Sequence, residues 1–366
     1  MRAIVTGGGS GGHIYPALAI ADKIMEKEPD SEILYLGNRI GIEKDLVPGS
    51  GYRFEMVDAR YFEKSIPSMM KTFRAVERGT RQSMKKIREF RPDVVIGTGG
   101  FVCVPVVRAA KKCGVRCFIQ EQNAFPGLAN RFLERYVNNI FLGFKAASPY
   151  FKHPEKHIFT GNPVRSRFFG VNREEARRKI GASGDEFVVF AFAGSQGADA
   201  LNTIFYELAK KLSDVPNVRF IFDVGLLHYD MMIEQTKNDR FEFPDSIQFI
   251  KYITDMEDYL TGSDLVISRS GAVSLAETCV SGRASILIPS PNVTGNHQYY
   301  NAKSVADQGG AVLMEEKDVT VDKLFAEIVR LKRDPEKLHK MEEAAYNAEP
   351  RDAADHIYEV LKYGSR

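Results

Sequence analysis

Ala3-Ile4-Val5-Thr6-Gly7-Gly8-Gly9-Ser10-Gly11-Gly12-His13-Ile14-Tyr15-Pro16 is an apolar run that ends in a glycine-rich turn. The pattern predicts a short strand, a tight turn and a helix opening at Tyr15-Pro16-Ala17-Leu18. Such a turn lets backbone N–H groups approach an anionic ligand, and the start of a helix adds a favourable dipole. Five glycines in this turn exceed what a bare connection needs, so the loop reads as a site. Gly7, Gly9 and Gly12 also satisfy the dinucleotide pattern G-x-G-x-x-G. A nicotinamide site normally has an acid about 20 residues on, at the end of the second strand. Here Ile33-Leu34-Tyr35-Leu36 ends in Gly37-Asn38, and the nearest acid downstream is Glu43. The loop is thus read as a site, but not for NAD. His13 sets it apart, because a turn that only gripped phosphate would have no use for an imidazole.

Strands are expected at residues 3–6, 33–36, 53–57, 94–97, 117–120, 140–142 and 157–160. Helical patterns fall between them, notably at 16–28, 68–90, 103–113 and 127–136. This alternation implies a parallel sheet covered on both faces. Near Gly161-Asn162-Pro163 the pattern pauses and a second series begins. Phe187-Val188-Val189-Phe190-Ala191-Phe192 reads as a buried parallel strand running into Gly194-Ser195-Gln196-Gly197. Further strands are expected at 218–223, 247–250, 265–268 and 284–288. The predicted fold class is α/β, with two Rossmann-like, doubly wound domains facing a cleft. The expected boundaries are 1–163 and 164–349, with a C-terminal helix at about 350–366 that can return to the first domain.

The length of 366 residues suits two domains, and no stretch approaches the run of about 20 apolar residues that spans a bilayer. Cys103, Cys113, Cys117 and Cys279 have neither C-x-x-C spacing nor an accompanying His cluster, and read as reduced thiols. The net charge of +2 is unevenly spread. Residues 1–165 hold 26 Lys and Arg against 16 Asp and Glu, so the first half is expected to meet something anionic. The acidic second half, and the lack of basic clusters interleaved with aromatics, argue against a nucleic-acid partner.

Four more loops repeat the strand-glycine-helix grammar: Gly97-Thr98-Gly99-Gly100-Phe101, Gln120-Glu121-Gln122-Asn123, Gly194 to Gly197, and Ser268-Arg269-Ser270-Gly271-Ala272. In open α/β sheets ligands bind beyond the carboxyl ends of the strands, where these loops lie. Arg165 can set a planar guanidinium against a diphosphate, and Ser195 with its neighbouring N–H groups can cap it. Glu277 can accept two hydrogen bonds from a ribose, and Gln298 offers donor and acceptor to a sugar. The plain alternatives are a hinge salt bridge for Arg165, a solvated helix face for Glu277 and a surface polar residue for Gln298. No Asp-x-Asp occurs and no ligand cluster has metal spacing, so neither metal nor cofactor is expected. Residues 68–90 set Met69, Phe73, Val76, Met84 and Ile87 on one helical face and Arg74, Arg78, Arg81 and Lys85 on the opposite one. That pattern fits a core-facing helix with a solvated basic side. It also fits a surface, with Ile66, Met69 and Met70, that meets anionic lipid.

Together GGGSGGHIYPALA, IGTGGFVCVPVV, EQNAFPGLANRFL, FTGNPVR, FAGSQGA, SRSGAVSLAE and IPSPNVTGNHQYYNA resemble the MurG family of bacterial N-acetylglucosaminyltransferases, in order and from residue 1 to about 310. The resemblance implies a metal-free glycosyltransferase-B fold. It implies that GlcNAc passes from UDP-GlcNAc to the 4-hydroxyl of undecaprenyl-pyrophosphoryl-MurNAc-pentapeptide, with inversion, at the cytoplasmic face of the cell membrane. The donor-contacting positions it implies are Ser10, Gly11, Gly12, Asn123, Arg165, Ser195, Ile253, Ala272, Val273, Ser274, Leu275, Ala276, Glu277 and Gln298. Ile253 would meet the uracil, Glu277 the ribose, and Arg165 with Ser195 the diphosphate. Three positions depart from the family's common residues: Gln120 for His, Gln196 for Arg and Phe101 for Tyr. His13 matches the family's loop histidine. It is either the base for the acceptor hydroxyl or a group that positions a substrate oxygen. A UDP-GlcNAc epimerase of similar fold, or a nucleotide-binding scaffold at the membrane, are the other readings.

Overall fold

A computed structural model describes residues 1–60, 66–194 and 198–364. The chain divides into two compact units. The first joins Met1–Ser166 to Pro350–Arg366, and the second is Arg167–Glu349. Val164, Arg165 and Ser166 therefore belong to the first unit, beyond the boundary expected at 163.

The first unit is built on seven parallel strands: β1 (Arg2–Thr6), β2 (Glu32–Gly37), β3 (Arg53–Met56), β4 (Val94–Gly97), β5 (Arg116–Glu121), β6 (Asn139–Leu142) and β7 (His157–Phe159). Their order is β3-β2-β1-β4-β5-β6-β7, so the direction of winding reverses between β1 and β4. β1 pairs with β4 from Ala3↔Val94 to Thr6↔Gly97, which puts the loops after these two strands side by side. Ala3, Ile4, Val5 and Val94, Val95, Ile96 are fully buried, as continuous apolar strands covered on both faces should be. The C-terminal helix Ala353–Tyr363 packs on the opening helix Gly11–Lys27, with Ile357 and Leu361 in one core cluster with Ala17, Ile20 and Ile24. Glu28 ties the pair together. The Lys362 ammonium and the N-terminal ammonium beside it hold its carboxyl down at about 2.

The second unit repeats the plan with β8 (Phe187–Phe192), β9 (Val218–Asp223), β10 (Ile247–Ile250), β11 (Leu265–Ser268), β12 (Ala284–Leu287) and β13 (Ala311–Leu313). The order β10-β9-β8-β11-β12-β13 places its reversal between β8 and β11. β13 was not expected from sequence, since three residues at a sheet edge leave too short a pattern to read. One large core lies over this sheet, with Phe205, Phe220 and Phe222 fully buried.

Two local expectations are corrected. The opening helix starts at Gly11, not at Tyr15 or Pro16. Pro16 is the helix's sixth residue and has only Gly12 four residues before it, so the flexible glycines absorb the break. In the helix Ile66–Phe90, Phe73 does not face the core but is 68% exposed. The buried side is instead formed by Thr72, Thr80, Ser83, Ile87 and Phe90. The basic side is partly neutralised: Arg78 reaches Asp58 at 3.4 Å, Arg81 reaches Glu77 at 3.8 Å and Lys85 reaches Glu89 at 3.8 Å.

Candidate active site

Each sheet carries loops at its reversal, where an open α/β sheet leaves room for a ligand. In the first unit these are Gly7–Ser10 after β1 and Thr98–Gly100 after β4. Ser10 is the N-cap of the opening helix, in extended conformation and without a side-chain cap bond. Its carbonyl accepts from the N–H groups of His13 (3.1 Å) and Ile14 (3.3 Å). The N–H groups of Gly11 and Gly12 come before the first helical donor, His13 N–H, and so have no partner within the helix. Glu43, the acid that came too late in sequence for a ribose, has another job. It is fully buried, with Oε2 accepting from Gly9 N–H (3.3 Å) and Oε1 from Asn38 N–H (3.1 Å). A Cβ at Gly8 would lie 2.4 Å from Glu43 Oε1, so a glycine is required where the loop crosses this carboxylate.

His13 lies in the first turn of that helix and is half-buried. Its Nδ1 meets Gln122 Oε1 at 3.0 Å, and its carbonyl accepts from Thr98 Oγ1 at 2.6 Å. Gly99, at φ +113°, passes so close that a Cβ there would sit 2.7 Å from Nδ1. Cys103 packs behind this loop, its Sγ 2.9 Å from Gly99 O, and burial pushes the thiol up to about 12. It is a structural thiol at neutral pH, and all four cysteines are free.

Asn123 follows β5 in a loop organised by Glu121, which is 1% exposed. Glu121 Oε1 accepts from Asn123 N–H (2.9 Å) and Nδ2 (3.2 Å). Its Oε2 accepts from Gly127 N–H (3.0 Å) and Asn130 Nδ2 (2.9 Å). Sequence reasoning named Asn123 and passed over Glu121. Arg165, expected with the donor diphosphate in the second domain, lies in the first unit instead. Its guanidinium stacks over the Tyr15 ring at 4.8 Å, two residues beyond His13. The sequence places Arg165 only relative to Gly161-Asn162-Pro163, and nothing local reveals Tyr15 as its platform.

In the second unit a cavity of about 270 Å³ opens beyond β8 and β11, lined by residues that include Gly194, Arg269, Ser274, Ser290 and Gln298. Ser195 and Gln196 lie outside the described residues. The helix Ala272–Val280 points its start here, capped by Gly271 in extended conformation. Of its six expected contact residues, Leu275 and Ala276 are turned into the core at 1% exposed, and Ala272 is also buried. These three have main chain rather than side chain to offer. Ser274 lines the cavity, Val273 is half-buried, and Glu277 is buried one turn further along rather than on a solvated face. Gln298 opens the helix His297–Ala306, and its Oε1 is already taken by Ser290 N–H (2.9 Å). That leaves its amide nitrogen as the end able to meet a ligand. Ile253 is buried between β10 and the helix Met256–Gly262.

Arg269 is the cation that the sequence reading missed. It lines the cavity with its guanidinium held by Glu316 and by Ile288 O (3.2 Å). The segment Ser268-Arg269-Ser270-Gly271 was read for its glycine, and the distant Glu316 gives no local signal. Beside β8, in register with Phe192, Asp223 closes β9, and burial raises its carboxyl to about 6. Among the described residues no group of three His, Cys, Asp or Glu is placed to hold a metal ion.

Residues 3–142 match the glycosyltransferase family 28 N-terminal domain and residues 188–357 match the C-terminal domain of the same family. The chain is 40% identical over 365 residues to the UDP-N-acetylglucosamine–N-acetylmuramyl-(pentapeptide) pyrophosphoryl-undecaprenol N-acetylglucosamine transferase of Acetivibrio thermocellus, covering 99% of this chain and 98% of that one. It is 37% identical over 363 residues to the enzyme of that name from Thermoanaerobacter sp. (strain X514), covering 99% of each. Among solved structures it is similar to Acinetobacter baumannii MurG, with a TM-score of 0.77, 23% identity and 99% of each chain covered. It is also similar to a putative UDP-N-acetylglucosamine 2-epimerase from Listeria monocytogenes, with a TM-score of 0.72, 16% identity, and 99% and 95% covered. At these identities the structural likeness shows a shared glycosyltransferase-B fold and nothing of the chemistry.

Proposed function

This chain belongs to the family of UDP-N-acetylglucosamine–N-acetylmuramyl-(pentapeptide) pyrophosphoryl-undecaprenol N-acetylglucosamine transferases, the MurG family, and from that premise we propose how its residues divide the work. It transfers N-acetylglucosamine from UDP-GlcNAc to the lipid-linked MurNAc-pentapeptide, a step of peptidoglycan synthesis. The acceptor's 4-hydroxyl attacks the anomeric carbon directly, the bond to the diphosphate breaks, UDP leaves, and the configuration inverts. His13 takes the hydroxyl proton. In the second unit Ile253 meets the uracil, Glu277 the ribose, and Gln298 the sugar through its amide N–H. Ser195 and the start of the helix Ala272–Val280 offset the charge of the leaving diphosphate, with Ser274 and Arg269 beside it. In the first unit the residues assigned to the substrates are Ser10, Gly11, Gly12 and Asn123, with Arg165 as the cation for a diphosphate.

The observation that carries the activity is 40% identity along essentially the whole chain, which joins both glycine-loop units in one family. We place the enzyme at the cytoplasmic membrane surface as a peripheral protein drawn to anionic lipid. Supporting this, Phe73 is 68% exposed next to exposed Arg74. The side chains of Ile66, Met69 and Met70 lie outside the described residues. No helix among the described residues is long and apolar enough to cross a membrane. The test is UDP release from UDP-GlcNAc with and without a lipid-linked MurNAc-pentapeptide analogue. Release that requires acceptor and matches disaccharide formation is expected. Conversion of UDP-GlcNAc alone would instead identify an epimerase. His13→Ala should depress turnover far more than UDP-GlcNAc affinity, and unchanged turnover would remove His13 from the mechanism.

A further inference from the structure

Gln122 was not among the residues that the sequence put forward, yet it holds the imidazole on which the proposed chemistry turns. Its side chain is 1% exposed and contacts His13 Nδ1 through Oε1 at 3.0 Å. An amide can be turned either way round, so the identity of the atom facing the ring has to be argued from its other partners. Gln122 Nε2 faces Thr98 O at 2.7 Å, Gln120 O at 3.1 Å and Gln120 Oε1. All three are acceptors. Turning the amide over would set its oxygen against them and leave a buried cluster of carbonyls without donors, at a cost of several kcal/mol. Gln122 Oε1 is thereby committed to the ring, and an oxygen that can only accept requires a proton on Nδ1. A neutral His13 then carries its lone pair on Nε2.

The surrounding residues reinforce that orientation. Asn162 Nδ2 donates to the main-chain carbonyl of Gln122 at 3.1 Å, and Gln120 Nε2 donates to Asn162 Oδ1 at 3.0 Å. Gln120, Gln122 and Asn162 are all buried, so this amide network is shielded from water. Thr98 binds both partners, accepting from Gln122 Nε2 on its carbonyl and donating from Oγ1 to His13 O. Gly99 leaves room for the ring against this frame. The partner is also a neutral amide, which orients the ring without the electrostatic pull of a carboxylate.

We propose that Gln122 is a positioning residue that fixes His13 as the Nδ1–H tautomer, so that Nε2 is the nitrogen available to take the acceptor's proton. The tautomer assignment stands on geometry, and its kinetic consequence rests on His13 being the base. The test uses full-length enzyme labelled with ¹⁵N-histidine, read at a pH where the ring is neutral, together with steady-state kinetics. In wild type the His13 signals should show a protonated Nδ1 and a bare Nε2. Gln122→Met removes the acceptor at similar volume. It should move the proton to Nε2 in a large fraction of molecules and lower kcat by about ten- to a hundredfold, with the KM for UDP-GlcNAc changed by no more than about twofold. A bare Nδ1 in wild type, or an unchanged tautomer in Gln122→Met, overturns the proposal. If Gln122→Met does not fold, the wild-type spectrum alone decides the tautomer: a bare Nδ1 overturns the proposal. If His13→Ala keeps its turnover, the base reading fails while the spectra still judge the tautomer.

Discussion

Asp223→Asn should relieve a pH-dependent cost carried by the second unit. Asp223 is 3% exposed, and its Oδ1 accepts from Gly225 N–H at 3.2 Å. Burial outweighs that single bond and raises the carboxyl from 3.8 to about 6. The sign follows from proton counting. At low pH both folded and unfolded forms are protonated, and the side chain contributes nothing. As pH rises through 3.8 the unfolded chain ionises first, so stability falls until the folded group ionises near pH 6. Across that interval each pH unit costs about 1.4 kcal/mol, which comes to a total on the order of 3 kcal/mol above pH 6. An asparagine keeps the oxygen that Gly225 uses and has no charge to desolvate. Urea unfolding of wild type and Asp223→Asn, together with amide exchange in β8 and β9, should show the variant's advantage growing by about 2.5 kcal/mol from about pH 4 to about pH 8. If the two stability curves run parallel across that range, the carboxylate is not buried at a cost and the reasoning fails.

Glu121→Gln would turn an NH₂ group towards two of the four donors that the carboxylate now serves. The loss of two charge-assisted bonds is worth about 3 kcal/mol or more, and should appear as faster amide exchange over residues 122–130 and a raised KM for UDP-GlcNAc. Gly99→Ala places a methyl group against His13 Nδ1 at a backbone conformation that itself costs about 1–3 kcal/mol; kcat should fall well below that of Gly49→Ala, where a Cβ meets nothing within 4 Å. Phe73→Ser combined with Arg74→Glu should weaken co-sedimentation with anionic vesicles while leaving UDP release with a detergent-soluble acceptor analogue intact. Equal loss on neutral and anionic vesicles would count against the electrostatic part of the membrane reading.

The strands and glycine loops were legible because their signals are local. An apolar run followed by glycines marks the end of a buried strand whatever lies elsewhere in the chain. What escaped the sequence is what depends on distance. Glu43 supports Gly9 across 34 residues, and Gln122 reaches His13 across 109. Arg269 was in view within Ser268-Arg269-Ser270-Gly271, but its partner Glu316 was not. Phe73 was misplaced because its helix buries small polar residues, Thr80 and Ser83, whose hydroxyls bond back to Val76 O and Gly79 O. A hydrophobic stripe is a poor guide where a helix packs through satisfied hydroxyls.

The C-terminal helix has a consequence for how the protein is made. Ile357 and Leu361 complete the core beneath the opening helix, yet they are translated only after all of Arg167–Glu349. At ordinary ribosomal speeds that interval is on the order of ten to forty seconds. Throughout it, the flank of the opening helix that Ile357 and Leu361 will cover waits without its lid, on the same helix that carries His13. The second unit, continuous in sequence, can mature on the ribosome before the first, so the half that begins the chain is the last to be finished.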